Sequence, residues 1–364
     1  SMPILLAVRR AEATRRWRCS GSSIARGHQV SRHARLTILF CGRDFPLSLH
    51  ATRSRRPTWN LLASDRAGLE EEMASHAVDV VVPLMTRIDA SLVATASRSG
   101  VKLIHQFGAG LEGVDKDAAE RHGVAVRNIP AGESANAISS AEHAIYLLMS
   151  IMRNPRAMRA SLEERLLGLP AGTTIHSKRA LVVGFGGLGQ EITRRLTCLG
   201  ADVVAFRCGD WPAGDRAMVS GAGSFTVSGQ AGLVEMARDR DILIVCCPLS
   251  ANTLNLVDRS VLLALNPGAF VVNVARGGIV NRKELLELVR AKRLGGIGLD
   301  VFWKEPFIDD EGDQSGLKEL EQLRQEGFNV ELTPHVAGVT TESLQAMSSF
   351  FVKSIEQFFA ADSS

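Results

Sequence analysis

The chain is poor in cysteine and has no long apolar run. Its six cysteines (Cys19, Cys41, Cys198, Cys208, Cys246, Cys247) fall in no Cys-x-x-Cys or Cys-x-x-His spacing. That excludes a zinc ribbon and a disulfide framework. Reduced, structural thiols are expected, with Cys246 and Cys247 side by side on a strand and facing opposite ways. No stretch approaches the ~18 apolar residues that span a bilayer, so no membrane partner is expected. Acids are nearly missing from residues 1–36, which hold eight arginines against the single Glu12. Taking that leader's +7 from the chain's +3 leaves −4 on the remainder, so the body has no basic excess for nucleic acid. Internal repeats and low-complexity tracts are absent as well.

What is present describes an α/β protein. The 364 residues suffice for two domains, and 45% hydrophobic residues with 33 glycines suit that class. Apolar strands are read at Leu36–Phe40, Val78–Val82, Val101–Gln106 and Gly123–Val126, with a helix over Asp89–Ser99. A long amphipathic helix from Ser139 to about Arg153, limited by Pro155, reads as the crossover to a second unit. That unit has strands at Arg179–Val183, Asp202–Phe206, Asp241–Cys246, Phe270–Val274, Gly296–Val301 and Val330–Leu332. Strand alternating with helix predicts parallel, doubly wound sheets. The polar stretch Asp309–Gly327 is expected to be a surface insertion. A terminal helix from about Thr341 to Phe359 is expected to pack back on the first unit.

Three features carry chemistry. Gly184-Phe185-Gly186-Gly187-Leu188-Gly189 follows a strand and opens a helix, the arrangement that brings backbone N–H groups against a pyrophosphate. Arg207 ends the next strand, eighteen residues past Gly189, where an NAD site ordinarily has an acid. No acid follows until Asp210. A guanidinium there favours the 2′-phosphate of NADPH over NADH, with NAD possible. Arg276 follows the apolar strand Ala269–Val274, and a charge at that edge points to an anionic ligand; the alternative is a salt bridge closing the strand end. Glu305 and His335 lie after the next two strands, where a carboxylate and an imidazole can handle protons. A lone acid or histidine is more often structural, but three such groups at the strand ends of one sheet are harder to dismiss.

At this point the chain resembles the D-isomer-specific 2-hydroxyacid dehydrogenase family over residues 37–364. The matching stretches are Gly108–Asp115, Gly184–Gly189, Asn273–Gly278, Leu299–Pro306 and Thr333–Gly338, in the family's order. Parts of it look closest to a plant and algal branch resembling hydroxypyruvate and glyoxylate reductases and phosphoglycerate dehydrogenase-like proteins. The resemblance implies two Rossmann-like domains, 37–138 plus 335–364 for substrate and 139–334 for the dinucleotide, with the site in the cleft. It implies that Arg276 holds the carboxylate of a small 2-oxo acid and polarises its 2-oxo group. His335 would be the general acid, and Glu305 would hydrogen-bond it and favour the imidazolium. The N–H groups of Ala109 and Gly110 would bind the substrate carboxylate. Pro248, Thr253, Ala275 and Asp300 are expected beside the cofactor, Asp300 with the weaker claim as an orienting carboxylate.

Departures from the family's pattern concern the substrate pocket. Gly113 is bare where relatives have an acid or amide. The loop Val82-Pro83-Leu84-Met85-Thr86-Arg87-Ile88 lacks the Arg-Ser dipeptide often found there, and Pro83 deletes a backbone donor. Met85 suggests an apolar wall, although core packing accounts for it equally well. The expected activity is NADPH-dependent reduction of glyoxylate or hydroxypyruvate. The alternatives are D-3-phosphoglycerate oxidation with NAD, against which stand Arg207 and the chain's end at Ser364, and a dinucleotide-sensing binding protein of the corepressor kind. The family also implies a homodimer built on the long helix and the arm at about Arg156–Ile175. Residues 1–36 match an organelle transit peptide, chloroplast before mitochondrion; without one, the protein would be cytoplasmic.

Overall fold

The computed structural model describes residues 35–42, 45–130, 135–307 and 311–361. The expected leader lies, except for its last two residues, outside the described residues. Strands buried on both faces by flanking helices read as continuous apolar runs, and two parallel sheets are built from such runs. The first contains β1 (Thr37–Cys41), β2 (Asn60–Ser64), β3 (Val80–Val82), β4 (Leu103–His105) and β5 (Ala125–Arg127), in the order β2-β1-β3-β4-β5. The second contains β6 (Arg179–Val183), β7 (Asp202–Arg207), β8 (Gly221–Ser224), β9 (Ile242–Val245), β10 (Ala269–Asn273), β11 (Leu294–Leu299) and β12 (Val330–Leu332). Its order is β12-β11-β10-β9-β6-β7-β8. Both are parallel throughout, so the fold is α/β and doubly wound. At the centre of the second sheet, Ile242 through Val245 are wholly buried.

Two strands were not foreseen, and both lie on sheet edges. Asn60–Ser64 buries only Leu61 outright, and Gly221–Ser224 contains no β-branched residue. An edge strand needs no unbroken apolar run, so neither leaves a strong sequence signal. The stretch Asp309–Gly327 also requires correction, because it is not merely a surface insertion. It contains the helix Leu317–Gln325, whose Leu320 and Leu323 are fully buried in the core of the second sheet. These two leucines are three residues apart and share one helix face, a signal hidden among charged neighbours.

Aspartates start several helices by accepting an orphan N–H: Asp89 from Leu92 at 3.0 Å and Asp115 from Ala118 at 2.9 Å. The helix Asn136–Arg153 lies on the second sheet with Leu147 and Leu148 fully buried. Asn154 ends it in the left-handed region, and Pro155 then opens a further helix, Pro155–Glu163, that buries no residue. Proline is suited to that first helical position. The terminal helix Thr341–Ala361 returns to the first sheet, where Phe351 and Ile355 join Ile38, Phe40 and Leu103 in one core.

The joint between β4 and that helix contains a buried imidazole. His105 Nδ1 donates to the carbonyl of Gln106 at 3.1 Å, and Nε2 accepts from the Ser354 hydroxyl at 2.9 Å. A carbonyl only accepts, so the ring is the neutral Nδ1–H tautomer. Burial, with a smaller contribution from the Arg127 charge, pushes its pKa down to about 4 against the opposing hydrogen bond to Gln106. The five described cysteines are free thiols. Burial pushes Cys41 and Cys247 up to about 12. Cys246 and Cys247 lie just past the end of β9 rather than within it.

Candidate active site

The order of the second sheet reverses at β6, and the carboxyl ends of its strands form the crevice where open α/β sheets bind ligands. Along that edge come His335 after β12, Asp300 and Glu305 after β11, and Arg276 after β10. Pro248 after β9, Gly184–Gly189 after β6 and Arg207 at the end of β7 follow. The sheet thus lays out, in one line, an imidazole with two carboxylates, a guanidinium and a glycine turn at a helix N-terminus.

The turn fits a dinucleotide. Gly184 has φ +110, and an added Cβ there would come within 2.5 Å of the backbone nitrogen of Cys247. An added Cβ on Gly189 would collide with the Gly184 carbonyl. Gly186, by contrast, faces open space, and Gly187 begins the helix Gly187–Cys198. The first-turn N–H groups, including those of Gly187 and Leu188, have no acceptor within the helix and face the crevice mouth with the positive end of the helix dipole. The Leu188 side chain packs into the core of the sheet.

Arg207 has company that its surroundings in sequence did not suggest. Its Nη1 pairs with Asp215 Oδ2 at 3.2 Å, and its guanidinium lies 5.7 Å from the centre of the Trp211 ring. Gln190 Nε2 donates to the other Asp215 oxygen at 3.2 Å. The acid nearest in function is therefore Asp215, not Asp210.

Three residues expected beside the cofactor are tied by hydrogen bonds into the loops that follow the strands. Thr253 is 2% exposed, and its hydroxyl donates to the Pro248 carbonyl at 2.7 Å and accepts from Ser250 N–H at 2.7 Å. It fastens the loop that leaves Pro248 exposed. Ala275 is buried, with its N–H on Asn273 Oδ1 at 3.0 Å and its carbonyl taking Arg276 Nη1 at 2.7 Å. Asp300 is fully buried and presents nothing to the crevice.

Asp300 instead organises the loop that carries His335. Its backbone carbonyl accepts from His335 N–H at 2.8 Å. Its Oδ1 and Oδ2 accept from the N–H groups of Val336 and Ala337, each at 2.9 Å. The Thr333 hydroxyl donates to Oδ1 at 2.6 Å and receives His143 Nε2 at 2.8 Å. Burial alone would raise this carboxyl, but the four donors, His143 included, outweigh it and hold it below the usual carboxylate value. Nothing in the sequence marks His143, because its partners Thr333 and Asp300 come from remote segments. The anchoring holds His335 at φ +54, in the left-handed region that side chains seldom adopt.

The imidazole itself is well oriented. Nδ1 of His335 donates to Glu305 Oε2 at 2.7 Å, while Glu305 Oε1 accepts from Phe302 N–H at 2.8 Å. Nε2 has no partner among the described residues and is left for a ligand. Phe45, from the loop after β1, meets the ring edge-on at 5.4 Å and 85°. A residue that follows a strand of the first sheet thus covers a histidine that follows a strand of the second.

Arg276 faces the first unit as well. Asn273 Nδ2 braces the Arg276 carbonyl at 2.9 Å, and Arg276 Nε donates to Glu112 Oε1 across the cleft. A salt bridge does exist, but its partner lies on the opposite wall and the two side chains remain 29% and 37% exposed. It does not close off the strand end. On that opposite wall, Ala109 and Gly110 follow β4. Their N–H groups have no acceptor among the described residues, while Asn128 Nδ2 holds the Ala109 carbonyl at 2.7 Å. Gln106 Nε2 donates to the carbonyl of Leu84 at 2.8 Å, fixing a left-handed residue directly before the half-buried Met85.

Comparison with known proteins agrees with this layout. A family model described as "D-isomer specific 2-hydroxyacid dehydrogenase, NAD binding domain" matches residues 145–337. D-3-phosphoglycerate dehydrogenase of Mycobacterium bovis is 33% identical over 285 residues, covering 78% of this chain and 49% of that protein. The chain therefore spans about half the length of this relative. (S)-sulfolactate dehydrogenase of Chromohalobacter salexigens is 31% identical over 301 residues, covering 81% of this chain and 89% of that one. Among solved structures, the pyruvate reductase of Chlamydomonas reinhardtii superposes with a TM-score of 0.70 at 24% identity, covering 89% and 96% of the two chains. With the glycine turn, the basic strand end and the histidine–glutamate pair on one sheet edge, the chain belongs to the D-isomer specific 2-hydroxyacid dehydrogenase family.

Proposed function

We propose that this protein reduces small 2-oxo acids with a nicotinamide dinucleotide, preferring NADPH, and that glyoxylate and hydroxypyruvate are its substrates. The observation that carries this reading is Nε2 of His335, free for a ligand and backed by Glu305, on the same sheet edge as Arg276. Arg276 and the N–H groups of Ala109 and Gly110 bind the carboxylate. His335 protonates the 2-oxo oxygen from Nε2, and Glu305 stabilises the charged ring through Nδ1. Bound at Gly184–Gly189, the nicotinamide cofactor supplies the hydride that reaches the carbonyl carbon. Arg207 receives the 2′-phosphate, for which it must part from Asp215. Met85 lines the side of the pocket away from the chemistry. A homodimer is part of this reading, since Tyr146 and Met149 on the long helix and Leu162 and Leu167 on the arm are exposed apolar side chains.

A second reading, D-3-phosphoglycerate oxidation with NAD, draws on the mycobacterial relative and on Asp215, which neutralises Arg207. A steady-state screen separates the two: glyoxylate, hydroxypyruvate, pyruvate and 3-phosphoglycerate, each with both cofactors. Highest kcat/KM for glyoxylate or hydroxypyruvate with NADPH is expected. Turnover of 3-phosphoglycerate with NAD alone selects the second reading. Cofactor binding without turnover of any of the four acids would instead identify a dinucleotide-sensing binding protein.

A further inference from the structure

The group facing Arg276 in this structure is itself a carboxylate. Glu112 comes from the first unit, two residues past Gly110, and accepts from Arg276 Nε. Its position over Gly110 is equally close: an added Cβ there would lie 2.5 Å from Glu112 Oε2 and 2.8 Å from Oε1, and would collide with Arg276 Nη2. The Glu112 carboxylate and the Arg276 guanidinium therefore meet over the backbone of Gly110. That guanidinium and that backbone are the two components assigned above to the substrate's carboxylate.

We infer that Glu112 is a specificity-determining residue that fills the substrate's carboxylate seat until a 2-oxo acid displaces it. The inference rests on the function proposed above. Displacement is feasible because both partners are partly exposed, and an exposed ion pair contributes only modestly. The exchange also discriminates between substrates. A monocarboxylate replaces Glu112 on Arg276 one for one. The displaced Glu112 stays on its short loop beside the bound molecule, so a substrate tail with a second negative charge meets a like charge there. Glu112 thus favours small acids with neutral tails over phosphorylated or sulfonated ones.

Oxamate, a non-reducible amide with the carboxylate and carbonyl of a 2-oxo acid, provides the test. Its affinity for the full chain saturated with NADPH is measured by calorimetry for the wild type, Glu112→Gln and Glu112→Asp. The glutamine variant should bind oxamate about three- to tenfold more tightly. Aspartate, one methylene too short to reach, should lie between. The gain for 3-phosphoglycerate should exceed the gain for oxamate. Unchanged or weaker oxamate binding in both variants would overturn the inference and make Glu112 a support for Arg276. Tighter oxamate binding without turnover of any 2-oxo acid would preserve the role of Glu112 and remove the reductase reading. Turnover without tightening would do the reverse, and oxamate binding by none of the proteins would remove both.

Discussion

Asp300 holds the loop of His335 at three consecutive backbone positions, beginning with the 2.8 Å bond from His335 N–H to the Asp300 carbonyl. Its two carboxylate oxygens take the next two N–H groups. Asn cannot replace this arrangement, because one of its two terminal atoms is a donor facing an N–H. Asp300→Asn should destabilise the protein by about 2–4 kcal/mol and lower kcat by at least about tenfold through misplacement of His335. Denaturant melts and steady-state kinetics would check both, and a variant with wild-type kcat would show that the loop holds its shape without Asp300.

Glu305 accepts from Nδ1–H of His335, so that the ring can carry a second proton on Nε2, the one given up in the proposed reduction. A carboxylate accepts from Nδ1–H and leaves Nε2 toward the ligand. In Glu305→Gln the amide NH2 can take that position and donate to Nδ1, which then holds no proton, so the ring cannot become the charged acid. The expected result is a fall in kcat on the order of 10² or more, with cofactor affinity retained. Fluorescence titration with NADPH supplies the control, and His335→Ala should give the same pattern. Undiminished turnover in either variant would mean that another group donates the proton.

The pairing of Arg207 with Asp215 makes the proposed cofactor preference testable at a single position. Arg207→Asp removes the partner of a 2′-phosphate and places two carboxylates side by side, so kcat/KM for NADPH should fall by about a hundredfold or more relative to NADH. The ratio of the two specificity constants is the readout. A ratio equal to the wild type's would show that Arg207 does not touch the phosphate.

The candidate site's sheet edge was legible because its residues sit where a strand pattern breaks. Arg276 directly follows an apolar run, His335 comes three residues after the short strand Val330–Leu332, and the glycine turn joins a strand to a helix. Spatial partners contributed by remote segments were not legible. Glu112 and Arg276 are separated by 164 positions, and nothing in Gly108–Asp115 indicates that its acid turns across the cleft. Phe45, His143 and Asp215 were missed for the same reason: each acts by proximity that only the folded chain creates. The hydrogen bonds of Asp300, Thr253 and Ala275 were not legible either, since residues beside a binding loop in sequence can also serve as its internal fastenings.

His105 links the first sheet to the terminal helix and should give the protein a pH-dependent stability. Its pKa falls to about 4 in the folded protein against an ordinary 6.5. Between those values the unfolded chain binds a proton that the native protein excludes. The contribution is therefore present in full above about pH 6.5, declines as pH falls toward 4, and is absent below. That gap corresponds to about 3 kcal/mol. Urea melts between pH 4 and 7 should show stability rising with pH over this window. His105→Gln does not titrate there, so it should lose most of the slope while keeping a partner for Ser354. An equal slope in the variant would assign the effect to other groups and leave the buried imidazole with a packing role alone.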